Sequence, residues 1–334
     1  MQHIKISSRL PVLTSVLLII AIVLSACSSQ ENGAQSSPTA GQAANSTNLK
    51  ETASTTPTTR EYTDFQKRKV TIPVNPQKIV YVGSDPGDLL ALGVRPAGAS
   101  LSVIQSQIVY ADLTKDITDI GSPVNLEKLT MLKPDLILFD NWDVKTIDTL
   151  AKIAPTVVLN SELATFERMQ ELGELLGKTK EADQFKTLYD EKAKQMKAKL
   201  DVDIKPGETA TVLLVMGNNL YVMGHQGVSV SLYDILGFTP APKVQTDLID
   251  KKERFATISN EVLPSFIGDE LFILSDQSQE TIATTRNLVN SEVWKTIPAV
   301  QNKRVYTLDS SWNFDDAITR ERLLEQIPDL MKQK

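Results

Sequence analysis

Lys180–Leu200 reads KEADQFKTLYDEKAKQMKAKL, and its spacing decides the architecture. Ala182, Phe185, Tyr189, Ala193, Met196 and Leu200 recur at steps of three and four with Asp, Glu and Lys between them, the pattern of one continuous helix that buries a single stripe. At 1.5 Å per residue such a helix reaches about 30 Å, the width of a small domain. Neither Gly nor Pro interrupts it. Lys205-Pro206-Gly207 ends it, because Pro cannot extend the hydrogen-bond ladder and Gly accepts the turn. Taken alone this is also a surface helix of ordinary kind; its flanks make it a strut between two halves.

On the upstream side short apolar runs alternate with helical patterns. Lys78–Val82 (KIVYV) is a strand, Asp88–Leu92 a short helix closed by Gly93, and Asn125–Leu132 a helix leading into the strand Asp135–Phe139 (DLILF). Val144–Ile153 is a further helix before the strand Thr156–Leu159. Downstream the alternation resumes: strands Thr211–Met216, Leu220–Met223, Leu271–Leu274 and Arg304–Leu308, with helices Val228–Leu236, Asn260–Phe266 and Asp316–Met331. Strands alternating with helices imply a mainly parallel sheet covered on both faces. The fold class is therefore α/β, with two lobes bridged by one long helix and a ligand cleft between them. Residues 61–163 form the N-terminal lobe, 164–204 a helical connector that includes Thr165–Leu176, and 205–334 the C-terminal lobe.

The halves repeat each other. Leu92-Gly93-Val94-Arg95-Pro96-Ala97 corresponds to Leu236-Gly237-Phe238-Thr239-Pro240-Ala241. Glu127 precedes Asp135 by eight residues and Glu261 precedes Asp269 by eight. Each Asp opens an apolar strand, and each Glu stands two residues after a good N-cap, Asn125 or Ser259. Each lobe thus presents one carboxylate at an equivalent place.

Composition narrows the chemistry. The 334 residues are 41% hydrophobic and 23% charged, a globular composition with room for about two domains. The net charge is −6, and since Lys5 and Arg9 are the only charges before residue 27, the rest is more acidic still and repels polyanions such as nucleic acid. The two histidines are His3 and His225, and the one cysteine is Cys27. Zinc sites built from several His or Cys ligands are excluded. A Ser-His-Asp triad could draw only on His225, and there is no G-x-S-x-G elbow, P-loop or G-x-G-x-x-G. A lipid-anchored hydrolase using carboxylates such as Asp85 and Asp140 is the remote enzymatic alternative, and no spacing places them as a working pair.

At the N-terminus a mostly apolar run, Leu10–Leu24, follows His3, Lys5 and Arg9, too short for a comfortable span and placed as a signal peptide. It ends in Leu24-Ser25-Ala26-Cys27, similar to the lipobox of a bacterial lipoprotein. That likeness implies removal of residues 1–26 and a lipid on Cys27 holding the chain at the extracytoplasmic face of the membrane. Residues 27–60, rich in Ser, Thr, Ala, Gln and Gly, cannot bury a core and form a flexible tether.

Over nearly all of residues 65–331 the chain resembles the class III substrate-binding proteins of ABC importers, specifically the iron-siderophore-binding lipoproteins. The resemblance is carried by Ile72-Pro73-Val74-Asn75-Pro76-Gln77-Lys78-Ile79-Val80, Asn125-Leu126-Glu127-Lys128-Leu129, Leu132-Lys133-Pro134-Asp135-Leu136-Ile137 and Lys152-Ile153-Ala154-Pro155-Thr156-Val157. In the second half its carriers are Leu232-Tyr233-Asp234-Ile235-Leu236-Gly237, Ile258-Ser259-Asn260-Glu261, Trp294-Lys295 with Pro298-Ala299-Val300, and Arg304-Val305-Tyr306. The family implies a shallow cleft with little closure, no enzymatic activity and no cofactor. It also implies a ferric siderophore as transported ligand, an ABC permease with its ATPase as partners, and a chain that acts as a monomer. Glu127 and Glu261 match the family's docking carboxylates, which pair with arginines of the permease. A Glu in a first helical turn also simply complements the helix dipole.

Loops at the carboxyl ends of the strands should line the cleft. They offer Ser84 with Asp85, Asn141 with Trp142, Met216, His225 with Gln226, Arg286, and Trp312 with Asn313; the ligand set is Ser84, Trp142, Met216, His225, Arg286 and Trp312. Two Trp on loops facing one cleft suit a large amphipathic ligand, although each is as well suited to core packing, and His225 to bonding within its own turn. Binders of ferric catecholates, which carry about three negative charges, tend to place arginines where this chain has Leu214 and Met216. Hydroxamate complexes are close to neutral and fit Trp with few bases, yet the Trp and Arg that hydroxamate binders often carry before this Leu-Tyr are replaced by His225-Gln226-Gly227-Val228. Hydroxamate is favoured, with haem held axially by His225 the alternative and cobalamin a third. In a siderophore the iron is caged by the chelator, so no protein metal ligand is needed.

Overall fold

The computed structural model describes residues 58–141, 143–200 and 204–332. Its organising feature is the helix Thr179–Lys199, which buries Ala182, Tyr189, Ala193 and Met196. Ala182 belongs to the core of the N-terminal half, Tyr189, Ala193 and Met196 to that of the C-terminal half, and Phe185 packs against both. One apolar stripe thus feeds two cores. The helix stops at Lys199, ahead of Pro206, because Leu200 turns to extended backbone (ψ 119°) and packs on the C-terminal core.

The N-terminal half opens with an antiparallel hairpin, β1 (Thr59–Thr63) and β2 (Lys69–Pro73). Five parallel strands follow: β3 (Ile79–Val82), β4 (Gly98–Ala99), β5 (Thr118–Asp119), β6 (Leu136–Phe139) and β7 (Thr156–Val158), in the spatial order β5-β4-β3-β6-β7. Alternate side chains enter opposite layers. Ile79, Tyr81, Leu136 and Leu138 face one core, and Val80, Val82, Ile137 and Phe139 the other.

The C-terminal sheet holds β8 (Thr209–Met216), β9 (Asn219–Met223), β10 (Thr239–Pro240), β11 (Phe255–Ile258), β12 (Glu270–Ser275) and β13 (Val305–Asp309). The order is β11-β9-β8-β12-β13, with β10 parallel to the start of β8. β8, β12 and β13 are parallel, whereas β9 runs antiparallel to both β8 and β11.

The internal repeat is visible in the pairing. β3 with its neighbours β4 and β6 corresponds to β8 with β10 and β12. Asp135 accepts from the backbone N–H of Gln77 and of Lys78 at 2.7 and 2.9 Å, just ahead of β3. Asp269 accepts from Thr209 N and Oγ1 at 2.9 and 2.7 Å, at the head of β8. The two aspartates perform the same task, joining the starts of two adjacent strands.

Several elements depart from the sequence-based expectation. Asn260–Phe266 is not a helix: a turn at 260–262 leads to a single 3₁₀ turn, Leu263–Phe266, and Ser259 caps no α-helix. The preceding strand β11 had not been expected; Gly224 N donates to Arg254 O at 2.8 Å and draws it alongside β9. Val228–Leu236 begins as a helical turn and widens into π geometry over Ser231–Leu236, ending on Gly237 at φ +93°.

The last helix, Ala317–Leu330, also links the halves. Ala317 and Ile318 lie in the N-terminal core, and Leu323, Leu324, Ile327 and Leu330 in the C-terminal one. Two helices therefore cross between the lobes, and no described helix is long and apolar enough to cross a membrane.

Candidate functional site

The carboxyl ends of both sheets converge on a cleft of about 420 Å³, inside the roughly 300–1,000 Å³ typical of small-molecule sites. Ser84 and Asp85 follow β3, Asp140 and Asn141 follow β6, and Ser161 follows β7. Leu214 and Met216 end β8, Gln226 follows β9, Arg254 precedes β11, and Ser310, Asn313 and Asp315 follow β13.

Asp140 fixes the N-terminal wall. Its Oδ2 accepts from the Ser84 N–H at 2.8 Å and from the Tyr81 hydroxyl at 3.3 Å. The approach needs Gly83, where an added Cβ would lie 2.3 Å from Asp140 Oδ2. Burial raises the Asp140 carboxyl above its usual range, partly offset by those donors. The Asp85 carboxyl is pushed up to about 7, by burial first, against the pull of Arg168 and with Asp88, Asp140 and Asp315 adding to the rise. Near neutral pH this floor therefore carries less negative charge than its residue count suggests.

On the opposite wall Arg254 is exposed, and its Nε donates to Gln226 Oε1 at 2.6 Å. It is the one base among the described lining residues. Gly227 (φ +55°) lets this loop pass Asn313, whose carbonyl oxygen would stand 2.7 Å from an added Cβ. The cleft is polar and weakly charged, with one guanidinium as its cationic donor.

Beneath it lies a buried polar network. Arg168 Nε donates to Asp88 Oδ2 at 2.8 Å and Arg168 Nη2 to the Asp315 carbonyl at 2.7 Å. Asp88 Oδ1 accepts from Ala317 N at 2.8 Å. Tyr110 donates to Asp316 at 2.8 Å, and Arg320 to Asp315 at 2.6 Å. The cleft floor is thereby tied to the helix that crosses between the lobes.

Of the residues expected from sequence, Ser84 and Met216 line the cleft, Met216 with 42% of its surface open. His225 lines an adjoining groove of about 550 Å³ between the lobes. Its Nε2 is 2.9 Å from Asp234 Oδ1, the main cause of its raised pKa, and its ring stacks 6.4 Å from that of Tyr233. Trp312 is partly exposed and packs on the C-terminal core beside the lining residue Asn313. Arg286 is exposed in the last turn of the helix Gln279–Val289 and is not a lining residue. Trp142 and Cys27 lie outside the described residues. Glu127 and Glu261 are exposed and line no part of the cleft; the Ser259 hydroxyl holds the Glu261 carboxyl below its usual range.

Sequence reasoning missed Arg254, Ser161 and Asp315. Arg254 precedes Phe255-Ala256-Thr257-Ile258, whose aromatic and β-branched residues were the available, weak signal for β11.

The family model described as periplasmic binding protein matches residues 79–312, most of the chain. The chain belongs to that family. Among curated members of the family, the iron(3+)-hydroxamate-binding protein YxeB of Bacillus subtilis is 27% identical over 96% of this chain and 95% of its own length. The iron(3+)-hydroxamate-binding protein FhuD of the same organism is 30% identical over 77% and 82%. The solved structure of Staphylococcus aureus SirA complexed with staphyloferrin B superposes with a TM-score of 0.68 at 25% identity, covering 81% of this chain and 98% of that one. The family consists of extracytoplasmic binding proteins of ABC importers, not enzymes.

Proposed function

We propose that this chain captures a ferric siderophore of the hydroxamate class in its interlobe cleft and delivers it to an ABC permease for iron uptake. The observation that carries the ligand class is the charge of the cleft. Among the described lining residues three carboxyl groups, Asp85, Asp140 and Asp315, stand beside one base, Arg254. A chelate with about three negative charges would meet one compensating cation there. A ferric trihydroxamate is close to neutral, offers many oxygen acceptors, and needs only donors such as Arg254, Ser84 and Gln226. The relatives YxeB and FhuD, named for iron(3+)-hydroxamate binding, support this reading. Haem ligation finds no support, since His225 is engaged with Asp234 and faces the neighbouring groove.

Glu127 and Glu261 are the residues proposed to address the permease, one exposed carboxylate from each lobe at matching places before Asp135 and Asp269. A lipid on Cys27 is the proposed anchor, with the residues ahead of β1 as the tether; the expected bound at residue 60 is too late, since Thr59 and Arg60 already pair in the β1–β2 hairpin. The chain is proposed to act as a monomer, with an N-terminal lobe that starts at β1 and ends near residue 163, connector 164–204 and a C-terminal lobe from 205 whose last helix reaches back to the N-terminal core.

Native mass spectrometry of the mature chain with ferric trihydroxamates, ferric citrate, haem and cobalamin tests the ligand class. Retention of the trihydroxamates at micromolar concentration is the expected result. Uptake of haem with a His225-dependent absorption spectrum, and no trihydroxamate bound, would overturn it.

A further inference from the structure

Beside the cleft, within the N-terminal half alone, lies a second cavity of about 500 Å³. Val82 and Phe139, buried at the ends of β3 and β6, are among its lining residues, as are Val103 and Leu126. Val103 and Leu126 keep 47% and 43% of their surface open, apolar surface that a hydrocarbon lying in the cavity would remove from water. The charged lining residues are Asp140, Asp143 and Lys145. Asp143 accepts from Thr146 N at 2.9 Å and caps the helix Val144–Leu150, so its polar capacity is largely used within the lobe. Ser84, Asp140 and Asn141 line both this cavity and the cleft, so the two spaces share an edge.

We propose that this cavity is a second subsite of the ligand site, taking an uncharged hydrocarbon arm of a ferric siderophore whose chelated iron occupies the cleft. The proposal rests on the siderophore reading and adds a class to it: amphiphilic chelates, with an alkyl or acyl extension on the side facing β3 and β6. The shared edge sets the connection: a chain leaving the chelate past Ser84 and Asn141 enters the apolar space beside Asp140, whose Oδ2 is already engaged by Ser84 N and the Tyr81 hydroxyl. Water filling the cavity gains little from Val103, Leu126, Val82 and Phe139, whereas a methylene chain gains their contact.

Two neutral ferric trihydroxamates with identical chelating groups, one ending in an acetyl amide and one in an octanoyl amide, provide the test by titration calorimetry. Each methylene leaving water is worth about fourfold in affinity, the ~0.8 kcal/mol of its transfer, so the octanoyl ligand should bind at least tenfold tighter. Val103→Asp and Leu126→Asp, both at exposed positions, should bring that ratio toward one, while Leu188→Asp on the connecting helix should leave it unchanged. Equal affinity of the two ligands for the unmodified chain overturns the subsite and leaves the siderophore reading standing. So does a ratio that survives both substitutions. If Val103→Asp and Leu126→Asp impair only uptake in cells, the cavity is a seat for the permease and the proposal is wrong. If neither ligand binds, the siderophore reading falls and the subsite with it.

Discussion

Arg168 and Asp88 form an interior ion pair, Nε to Oδ2 at 2.8 Å, at the place where the last helix returns to the N-terminal lobe. The pair joins the helix Pro86–Ala91, the helix Thr165–Leu176 and the first residue of Ala317–Leu330. Breaking a buried pair from one side leaves an uncompensated charge, at a cost of about 3–5 kcal/mol. Arg168→Met should therefore lower the unfolding free energy by about that amount in urea titration. The double variant Asp88→Asn with Arg168→Met should recover part of the loss, because an amide still accepts from Ala317 N without carrying charge. A single variant as stable as the parent would show that the pair holds nothing together.

Acidification should stabilise the fold between pH 8 and pH 5. The carboxyls of Glu270 and Asp316 are each raised to about 7, in both cases chiefly by burial. In the unfolded chain they titrate near 4. Between those values the folded state holds protons that the unfolded state has lost, so this contribution is fully present below about 4 and disappears as pH rises through 7. Asp315 works the other way, lowered by Arg320 and Arg168 against its burial, and its contribution is lost only under more acid conditions. The melting temperature should rise on going from pH 8 to pH 5, and Glu270→Gln with Asp316→Asn should flatten the profile, leaving the part due to the other carboxyls raised by burial, Asp85, Asp88 and Asp140 among them. An unaltered slope in that double variant would count against buried acids as its source.

The lobes and the strut were legible in the sequence because they depend on period: steps of three and four from Ala182 to Met196, and apolar runs such as Leu136–Phe139. The aspartates that join paired strands were legible from the Glu127–Asp135 and Glu261–Asp269 spacing. The cleft was legible only in part. Loops at strand ends could be named, and Ser84 and Met216 do line it, but whether a loop residue turns inward depends on tertiary packing that no local pattern encodes. Trp312 meets the core of its own lobe, Arg286 follows the solvent face of its helix, and His225 is captured by Asp234. The ion pair of Asp88 and Arg168 spans eighty positions, and only folding brings it together.

Glu127→Ala and Glu261→Ala should each impair uptake of iron from the siderophore in cells, and the double variant should nearly abolish it, while the dissociation constant of the purified chain changes less than twofold. Both side chains are exposed, and neither lines the cleft. Exposed charges acting at a rim chiefly set association and orientation of a partner. A tenfold loss of ligand affinity in either purified variant would move that residue from docking to binding.

Arg254 should carry the largest single contribution to ligand affinity among the polar residues of the cleft. Its Nε is occupied by Gln226 Oε1, which steadies the guanidinium and leaves its other N–H groups to turn toward ligand oxygens. A hydrogen bond from a charged donor is worth about 1.5–3 kcal/mol, so Arg254→Ala should weaken a ferric trihydroxamate roughly tenfold to a hundredfold. Arg254→Lys should recover only part, because an ammonium lacks the planar fork and cannot hold Gln226 and a chelate oxygen in one plane. Gln226→Ala isolates the steadying role and should cost less than removal of the guanidinium. Since Arg254 is exposed, none of these changes should move the melting temperature by more than a degree or two. Calorimetric titration against one trihydroxamate ranks the variants, and an Arg254→Ala chain that binds as tightly as the parent would place the iron chelate elsewhere than against this wall.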